Sequence, residues 1–163
     1  MTGKIYQTII QATLDTSLRN FQYKIVMGIL PTNTLLVKYK IKDNSLCDLC
    51  NNNEETTSHL FWECTKTQIH WHNLTEFLKT KNITFEITRL EALLVITNGT
   101  HCYIKNLLTI LMKRFIYLMK LNKRNPSFTI FLNYIKERMK IESLIALSKD
   151  KFGIHSDLVK IFN

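Results

Sequence analysis

The chain has 163 residues and a formal net charge of +9, with 22 Lys or Arg against 13 Asp or Glu. Its length allows one domain with a sizeable core, and its basic balance favours a polyanionic partner over an acidic or neutral one. The first residues, MTGKIYQ, lack the apolar segment of a signal peptide, so we expect an intracellular protein with reduced thiols, in the nucleus or cytoplasm. Lys and Arg interrupt the apolar runs well short of the roughly 20 residues of a membrane span, so no membrane partner is predicted.

The first predicted helix follows Asp15 or Thr16, either of which can cap it, and ends at Pro31. Its apolar residues recur at helical spacing: Leu18, Phe21, Ile25 and Ile29. A second, shorter helix is predicted after Thr32 or Asn33. Three lysines interleave with its end: Lys38, Lys40 and Lys42. Lysines two residues apart spread around a helix, so they form a broad basic flank that either contacts phosphate or is an ordinary solvated face.

Three of the four cysteines and one histidine follow within a short stretch, at Cys47, Cys50, His59 and Cys64. One CxxC pair on a turn and one His/Cys pair on the next element make a ligand set that Zn²⁺ accepts in a tetrahedron. Because four protein ligands leave no open position for a substrate, the predicted zinc site is structural. The predicted metal lobe spans about residues 43 to 80.

Other interpretations of this stretch remain open. The cysteines could be free thiols, or Cys47 and Cys50 a redox pair, although neither interpretation accounts for the second ligand pair. His70 and His72 are rival ligands but fit surface positions better. Trp62 and Trp71 either pack the lobe or stack on unpaired bases.

His59 and Cys64 are five residues apart, which an ideal α-helix would rotate about 140° from each other. We therefore predict that a helix capped by Thr56 or Thr57 ends or loosens near Cys64, so that both side chains reach one ion.

The residues around the ligands carry a family resemblance. LRNFQYKIVMGILPTNTLL from Leu18, KIKDNSLCDLC from Lys40 and ETTSHLFWEC from Glu55 resemble the zinc-binding region that follows the polymerase in non-LTR (LINE-type) retrotransposon reverse transcriptases. The matching segment runs from about Thr13 to Trp71, and LNKRNPSFTIFLNYIKERMKIE from Leu121 resembles the carboxyl-terminal tail of such proteins. The resemblance implies that the four residues are a CCHC zinc site and that the region contacts template RNA or target DNA beside a polymerase domain, within a ribonucleoprotein.

The remainder of the chain indicates an all-α fold. A short helix is predicted over 87–96, ended by Asn98-Gly99, followed by a central helix over 103–121 that is apolar on nearly all sides. A last long helix runs over 128–147, and Cys102 is expected in the core. The predicted organisation is a single helical domain over residues 1–163, with the zinc-stapled CCHC lobe and a helical core from about 87 to 163.

Catalytic signatures are missing from the sequence. The polymerase of the resembled family uses an adjacent aspartate pair, and no Asp-Asp occurs here. The four glycines are scattered, so no phosphate-cradling loop is predicted either. We expect a protein that is not an enzyme and takes no small-molecule substrate.

Two functional hypotheses follow. The first is a nucleic-acid-binding module that grips phosphates through basic helices. Its predicted contacts are Lys38, Lys40, Lys42, Lys113, Arg114, Lys120, Lys123 and Arg124. The second is a zinc-stabilised structural or protein-interaction module whose basic flanks dock onto an acidic partner. Residues 47–64 contain four acidic residues and no Lys or Arg, so phosphate contacts are expected outside the metal lobe.

Overall fold

The computed structural model describes residues 2–84, 86–95, 102–148 and 156–162. Their helices, in chain order, are α1 (Thr2–Ala12), α2 (Thr16–Val26), α3 (Asn33–Lys38), a short π-helix (His59–Glu63), α4 (Thr65–Thr80), α5 (Arg89–Leu93), α6 (Cys102–Leu121), α7 (Phe128–Ser148) and α8 (Ser156–Phe162). These residues form no strand, and only an isolated bridge joins Leu46 to Glu54. The predicted all-α fold is confirmed.

Helix α6 is the centre of the core, as its apolar sequence predicts. It contacts α1, α2, α5 and α7, and most of its side chains are buried. Phe115 packs against Phe131 of α7 at 5.3 Å between ring centroids, and Phe21 of α2 packs against Tyr117 at 5.7 Å. The two long predicted helices, α6 and α7, therefore form within a residue of their expected bounds.

Helix α1 was not among the predicted elements, although its apolar residues Ile5, Ile9 and Ala12 recur at helical spacing. Ile9 and Ala12 bury their side chains against the core. The turn from α1 into α2 is held by Glu142 of α7, whose carboxylate accepts hydrogen bonds from the backbone N–H groups of Leu14 and Asp15 at 3.0 to 3.2 Å. This carboxylate, more than 120 residues away in the sequence, thus accepts hydrogen bonds from the backbone of the turn.

Helix α2 ends earlier than predicted. Gly28, at φ +66°, terminates it, and the N–H of Ile29 bonds back to the carbonyl of Lys24 at 3.0 Å. This is a Schellman ending, in which glycine takes the left-handed conformation without a Cβ clash. The helix therefore stops at Val26, and Pro31 only prevents its continuation.

Helix α5 covers only Arg89–Leu93 of the helix predicted over 87–96. Thr88 and Glu91 form a capping box at its start, and Glu91 also pairs with Lys105 of α6 at 2.6 Å. The predicted stop at Asn98-Gly99 lies outside the described residues.

Helix α4 lies between the π-helix and the carboxyl-terminal helices. Its Phe77 ring stacks on Phe162 of α8 at 5.5 Å between centroids and meets Phe128 of α7 edge-on at 6.2 Å. The second half of the predicted metal lobe therefore also packs on the core. The predicted boundary of this lobe near residue 80 stays a prediction. Within the described ranges, no helix combines the length and apolar character that crossing a bilayer requires.

Candidate metal centre

The structure brings Cys47, Cys50, His59 and Cys64 into one group. Their nearest ligand atoms all lie within 4.8 Å of one another, and Cys50 Sγ is 3.3 Å from His59 Nε2. A tetrahedral ion with bonds of about 2.0 to 2.3 Å to nitrogen and sulfur would hold such atoms roughly 3.3 to 3.8 Å apart. The Cys3His group therefore fits a metal ion after a small contraction, with His59 Nε2 as the ligand atom.

The first ligand pair lies on a tight turn. The N–H of Asn51 donates to the carbonyl of Cys47, and the N–H of Cys47 donates to the carbonyl of Asn53, both at 2.8 Å. Asn51 takes the left-handed conformation, at φ +52°, which asparagine tolerates better than most residues. This turn brings the two sulfurs to the same side, because the chain doubles back on itself between them.

The second ligand pair brackets the π-helix, because His59 is its first residue and Cys64 follows its last residue, and this accommodates the five-residue spacing. Thr56 caps the segment through a hydrogen bond from the N–H of His59 to its Oγ1, at 3.0 Å. The N–H of Cys64 then bonds to the carbonyl of His59 at 2.8 Å, five residues back, and Cys64 itself is extended at ψ 125°. A π turn places residue i+5 over residue i. The predicted loosening of the helix near Cys64 is thus confirmed.

The thiol of Cys64 has a pKa below its ordinary value. A hydrogen bond from Cys47 lowers the pKa of Cys64 to about 5, against the opposing effect of burial, and the backbone N–H groups of Lys66 and Thr67 lower it further. Those amides belong to the first turn of α4, whose positive end favours a thiolate. The same hydrogen bond and burial raise the pKa of Cys47. A cation bound to all four groups would supply the charge that the second thiolate needs.

Glu55, fully buried beside the CxxC turn, is a residue whose role the sequence did not reveal. Its carboxylate accepts hydrogen bonds from the N–H of Asp48 at 3.1 Å and of Asn33 at 2.9 Å, and it forms an ion pair with Lys120 of α6. Its backbone carbonyl also accepts the Thr34 hydroxyl at 2.8 Å. Glu55 therefore fixes the CxxC turn to the start of α3 and to the core.

The rival histidines do not join the group. His70 is buried on α4, which lowers its pKa, so its predicted surface position is wrong, whereas His72 is exposed. Trp71 is also buried and donates through Nε1 to the carbonyl of Phe61 at 2.6 Å, and Trp62 lies 6.3 Å from it between ring centroids. For Trp71, packing of the lobe is the better interpretation.

Two of the predicted phosphate contacts are buried and must be corrected. Lys113 is 0% exposed and donates to the carbonyl of Leu93 at 3.1 Å, so its ammonium group cannot reach a ligand in solution. Lys120 is 5% exposed and is paired with Glu55. Both lie on α6 where it is apolar on nearly all sides, a pattern that should have indicated burial.

The other predicted contacts lie at or near the surface. Lys38, Lys40, Lys123 and Arg124 are exposed. Lys42 is half-buried and forms an ion pair with Asp48 at 2.8 Å. The guanidinium of Arg114 lies 5.2 Å from the centre of the Phe21 ring and is only partly accessible.

An all-α chain with a Cys3His group on a turn and a π-helix is a candidate zinc-stapled module, and comparison with protein families agrees. Residues 2–71 match the family model described as zinc-binding in reverse transcriptase, and the match contains all four ligands. The resemblance to the zinc-binding region of retrotransposon reverse transcriptases is confirmed over these residues. No curated protein and no solved structure matches the chain. The resemblance of the tail from Leu121 stays a prediction.

Proposed function

We propose that the chain is a non-catalytic nucleic-acid-binding module, stapled by zinc, that contacts the phosphates of RNA or DNA through a basic groove beside the metal centre. The resemblance over residues 2–71 supports a place beside a reverse transcriptase polymerase. The observation that carries the proposal is the groove itself, because it joins two basic segments that are far apart in sequence.

The proposed ion is Zn²⁺, bound by Cys47, Cys50, His59 and Cys64. Three thiols and one imidazole are soft and borderline donors, and no carboxylate belongs to the group. Such a set suits Zn²⁺ far better than Mg²⁺ or Ca²⁺, which prefer oxygen. With four protein ligands the ion would organise the turn and the π-helix and would take no part in a reaction.

The basic groove is a cavity of about 580 Å³ between α3, the CxxC turn and the carboxyl-terminal end of α6. Lys42, which follows α3, and Lys123 and Arg124, which follow α6, all line this cavity. Asn125 also lines the groove and provides an exposed amide group, whereas the amide of Asn33 is buried and donates to the carbonyl of Leu46 at 2.6 Å. Cations from two separate segments in one cavity suit a phosphate chain, which they would contact with little dependence on sequence.

The acidic residue in the groove is neutralised locally. Asp48 is partly buried, which by itself would raise its pKa, but hydrogen bonds from Lys42 and Asn33 outweigh burial and hold the pKa below its usual value. Glu55 lies beneath the groove and is neutralised by Lys120, which also lines the cavity. The acidic residues near the metal centre therefore repel phosphate less than the sequence alone suggests.

Two lysines at helix ends add to the basic surface. Lys40 after α3 and Lys123 after α6 have φ values of +57° and +52°, at positions where glycine is usually found. The left-handed backbone of a lysine at such a position costs about 1 kcal/mol. Its positive charge also interacts favourably with the carboxyl-terminal end of the helix dipole. Lys38 and Lys40 lie outside the groove and would extend its basic surface along α3.

A second candidate function is a structural or protein-interaction module. The burial of Lys113 and Lys120 favours it, because two of the eight predicted phosphate contacts are not available to a ligand. This candidate predicts binding to an acidic protein surface and no strong affinity for nucleic acid.

The test is a triple variant, Lys42→Gln, Lys123→Gln and Arg124→Gln, titrated with a labelled RNA and a labelled DNA over a range of salt. We expect weaker binding on every sequence, and a log-log salt slope shallower by about 0.7 to 0.9 for each phosphate that the variant no longer neutralises. The matched control removes three exposed lysines that do not line the groove: Lys66, Lys79 and Lys136. Metal content, measured on both variants, verifies that the centre is intact.

Equal affinities and equal slopes for the two triple variants would remove the groove from the proposal. A parent chain that binds neither nucleic acid would favour the protein-interaction candidate.

A further inference from the structure

Helices α1 and α2 leave an open cavity of about 570 Å³ on the outer surface, which we call the tyrosine groove. Residues one helical turn apart on each helix form its walls: Tyr6 and Ile10 from α1, and Thr16, Arg19, Asn20 and Tyr23 from α2. Tyr6 is 53% exposed and Tyr23 is 39% exposed. Two accessible aromatic side chains side by side form an exposed apolar patch, and such patches often mark binding surfaces.

The two rings form an edge-to-face pair, with centroids 6.2 Å apart and an interplanar angle of 82°. In an edge-to-face contact the edge of one ring covers one face of the other ring. The remaining faces of the two rings are not covered by this contact. A second, apolar cavity of about 380 Å³ lies on the other side of the pair and is lined by Ile5, Val26 and Met27 among others. The tyrosine pair thus lines both the tyrosine groove, which has mixed polar and apolar walls, and a more apolar cavity, and both have room for planar rings.

The helices that form the tyrosine groove are basic, and the acidic Asp15 that caps α2 is buried and paired with Arg138 at 3.2 Å. Helices α1 and α2 contain Lys4, Arg19 and Lys24 and no acidic residue. The guanidinium of Arg19 is held in place by the carbonyls of Thr13 at 2.7 Å and Ile10 at 2.8 Å. A fixed, flat cation beside two exposed rings therefore provides both a stacking surface and an attraction for anions.

We propose that the tyrosine groove binds unpaired bases of single-stranded RNA or DNA, which stack on Tyr6 and Tyr23 while Arg19 and Lys24 contact the adjoining phosphates. This inference rests on the proposed function and deepens it, because the basic groove offers cations and an amide but lacks an exposed aromatic face of this kind. Stacking on aromatic rings is tolerant of sequence. The tyrosine groove would therefore give the module a preference for single strands over duplexes.

A protein ligand fits the surface less well. A hydrophobic protein partner would favour the more apolar cavity, whereas the tyrosine groove combines Arg19, Asn20 and Thr16 with the ring faces. Planar bases joined by phosphates match all of these groups together.

The test compares a labelled single-stranded oligothymidylate, an abasic oligonucleotide of the same length and a duplex of the same length. In the double variant Tyr6→Leu, Tyr23→Leu, we expect affinity for the single strand to fall about tenfold. Affinity for the duplex and the abasic strand should stay near that of the parent, and the salt slope should not change, because every phosphate-binding cation is kept.

The variant Tyr6→Phe, Tyr23→Phe keeps the rings and should bind like the parent. The control is Tyr39→Leu, which removes a tyrosine that is 61% exposed after α3, outside the groove.

A measurement on the unaltered protein guards against misfolded variants. Photo-crosslinking with a 4-thiothymidine strand should attach the base to Tyr6 or Tyr23, as located by mass spectrometry. The inference is overturned if the leucine variant binds the single strand like the parent, if it loses duplex affinity equally, or if crosslinks lie only elsewhere. In each of these cases the salt-dependent binding through the basic groove could still hold, whereas a parent that binds no nucleic acid overturns both.

Discussion

Lys120 of α6 and Glu55 of the metal lobe form an ion pair in which both side chains are almost completely buried. The ammonium group of Lys120 also donates to the carbonyl of Pro31 at 3.3 Å, which the hydroxyl of Tyr117 contacts at 3.1 Å. The pair therefore ties the central helix to the CxxC turn and to the start of α3. Its position beneath the basic groove makes it a support for that groove.

The first prediction concerns this pair. Replacing Glu55 by Ala should destabilise the fold by about 3 to 5 kcal/mol, because it leaves a buried ammonium group and two backbone N–H groups without their acceptor. The double variant Glu55→Gln, Lys120→Met removes both charges and should recover part of that loss. Urea unfolding of the parent, Glu55→Gln, Lys120→Met and the double variant gives the coupling energy of the pair.

The exposed pair of Lys140 and Glu137 on α7 is a matched control, and Lys140→Ala should change stability little. Additive effects of the Glu55 and Lys120 substitutions would show that the buried pair does not couple the two regions.

The second prediction concerns metal removal. One zinc ion should bind per chain, and chelation or Cys50→Ser should speed amide exchange over residues 43–64, because the turn and the π-helix lose their common centre. Helix α4 should keep part of its protection, since Leu74 and Leu78 remain buried and Phe77 packs on the core. Hydrogen-exchange mass spectrometry with elemental analysis measures both effects.

Cys102→Ser is the control for cysteine substitution, because Cys102 lies on α6 and outside the Cys3His group. Purified protein without zinc but with protected amides around Cys47 would contradict the structural role of the ion.

The third prediction concerns the buried lysine. Complete burial lowers the pKa of Lys113 from 10.5 to about 7. Between these values the unfolded chain binds a proton that the folded chain does not, so this residue makes stability rise with pH from about 7 towards 10. Lys113→Met should stabilise the fold by about 1 to 4 kcal/mol at pH 7, and the gain should shrink as the pH rises.

The measurement is the difference in unfolding free energy between parent and Lys113→Met at several pH values, which cancels other titrating groups. The same variant should bind nucleic acid like the parent, because Lys113 does not reach the surface. A gain in stability that is independent of pH would show that Lys113 stays charged in the core.

The fourth prediction separates stability from binding at Lys123. Glycine should relieve the strain of its left-handed backbone and raise the free energy of unfolding by up to about 1 kcal/mol, although glycine also has more freedom in the unfolded chain. Affinity for RNA and DNA should fall, because a cation leaves the basic groove. Thermal unfolding and salt titrations of Lys123→Gly and Lys123→Gln test this, and a less stable, tightly binding glycine variant would contradict it.

The features that sequence predicted well are local ones. The ligand spacing, the Thr56 cap and the need to loosen the helix before Cys64 follow from residues within one or two turns of one another. The long helices α6 and α7 followed from apolar periodicity over about twenty residues.

The features that sequence missed depend on distant partners. Glu55 looked like one more acidic residue of the metal lobe, and its role is visible only once Lys120 and Asn33 surround it. Glu142 likewise acts on a turn at the other end of the chain. Lys113 and Lys120 were predicted to contact phosphate because they are charged. Their positions on α6 place them in the core instead.

Cys64 also determines where helix α4 begins. Its extended backbone ends the π-helix, and its carbonyl accepts the first hydrogen bonds of α4, from the N–H groups of Thr67 at 2.9 Å and Gln68 at 3.0 Å. Because α4 starts as a separate helix, packing of Trp71, Leu74 and Leu78 against the core sets its buried side. One residue thus completes the candidate ligand set with its side chain and begins the next helix with its backbone, so a substitution of the thiol would remove the ligand and leave the start of α4 in place.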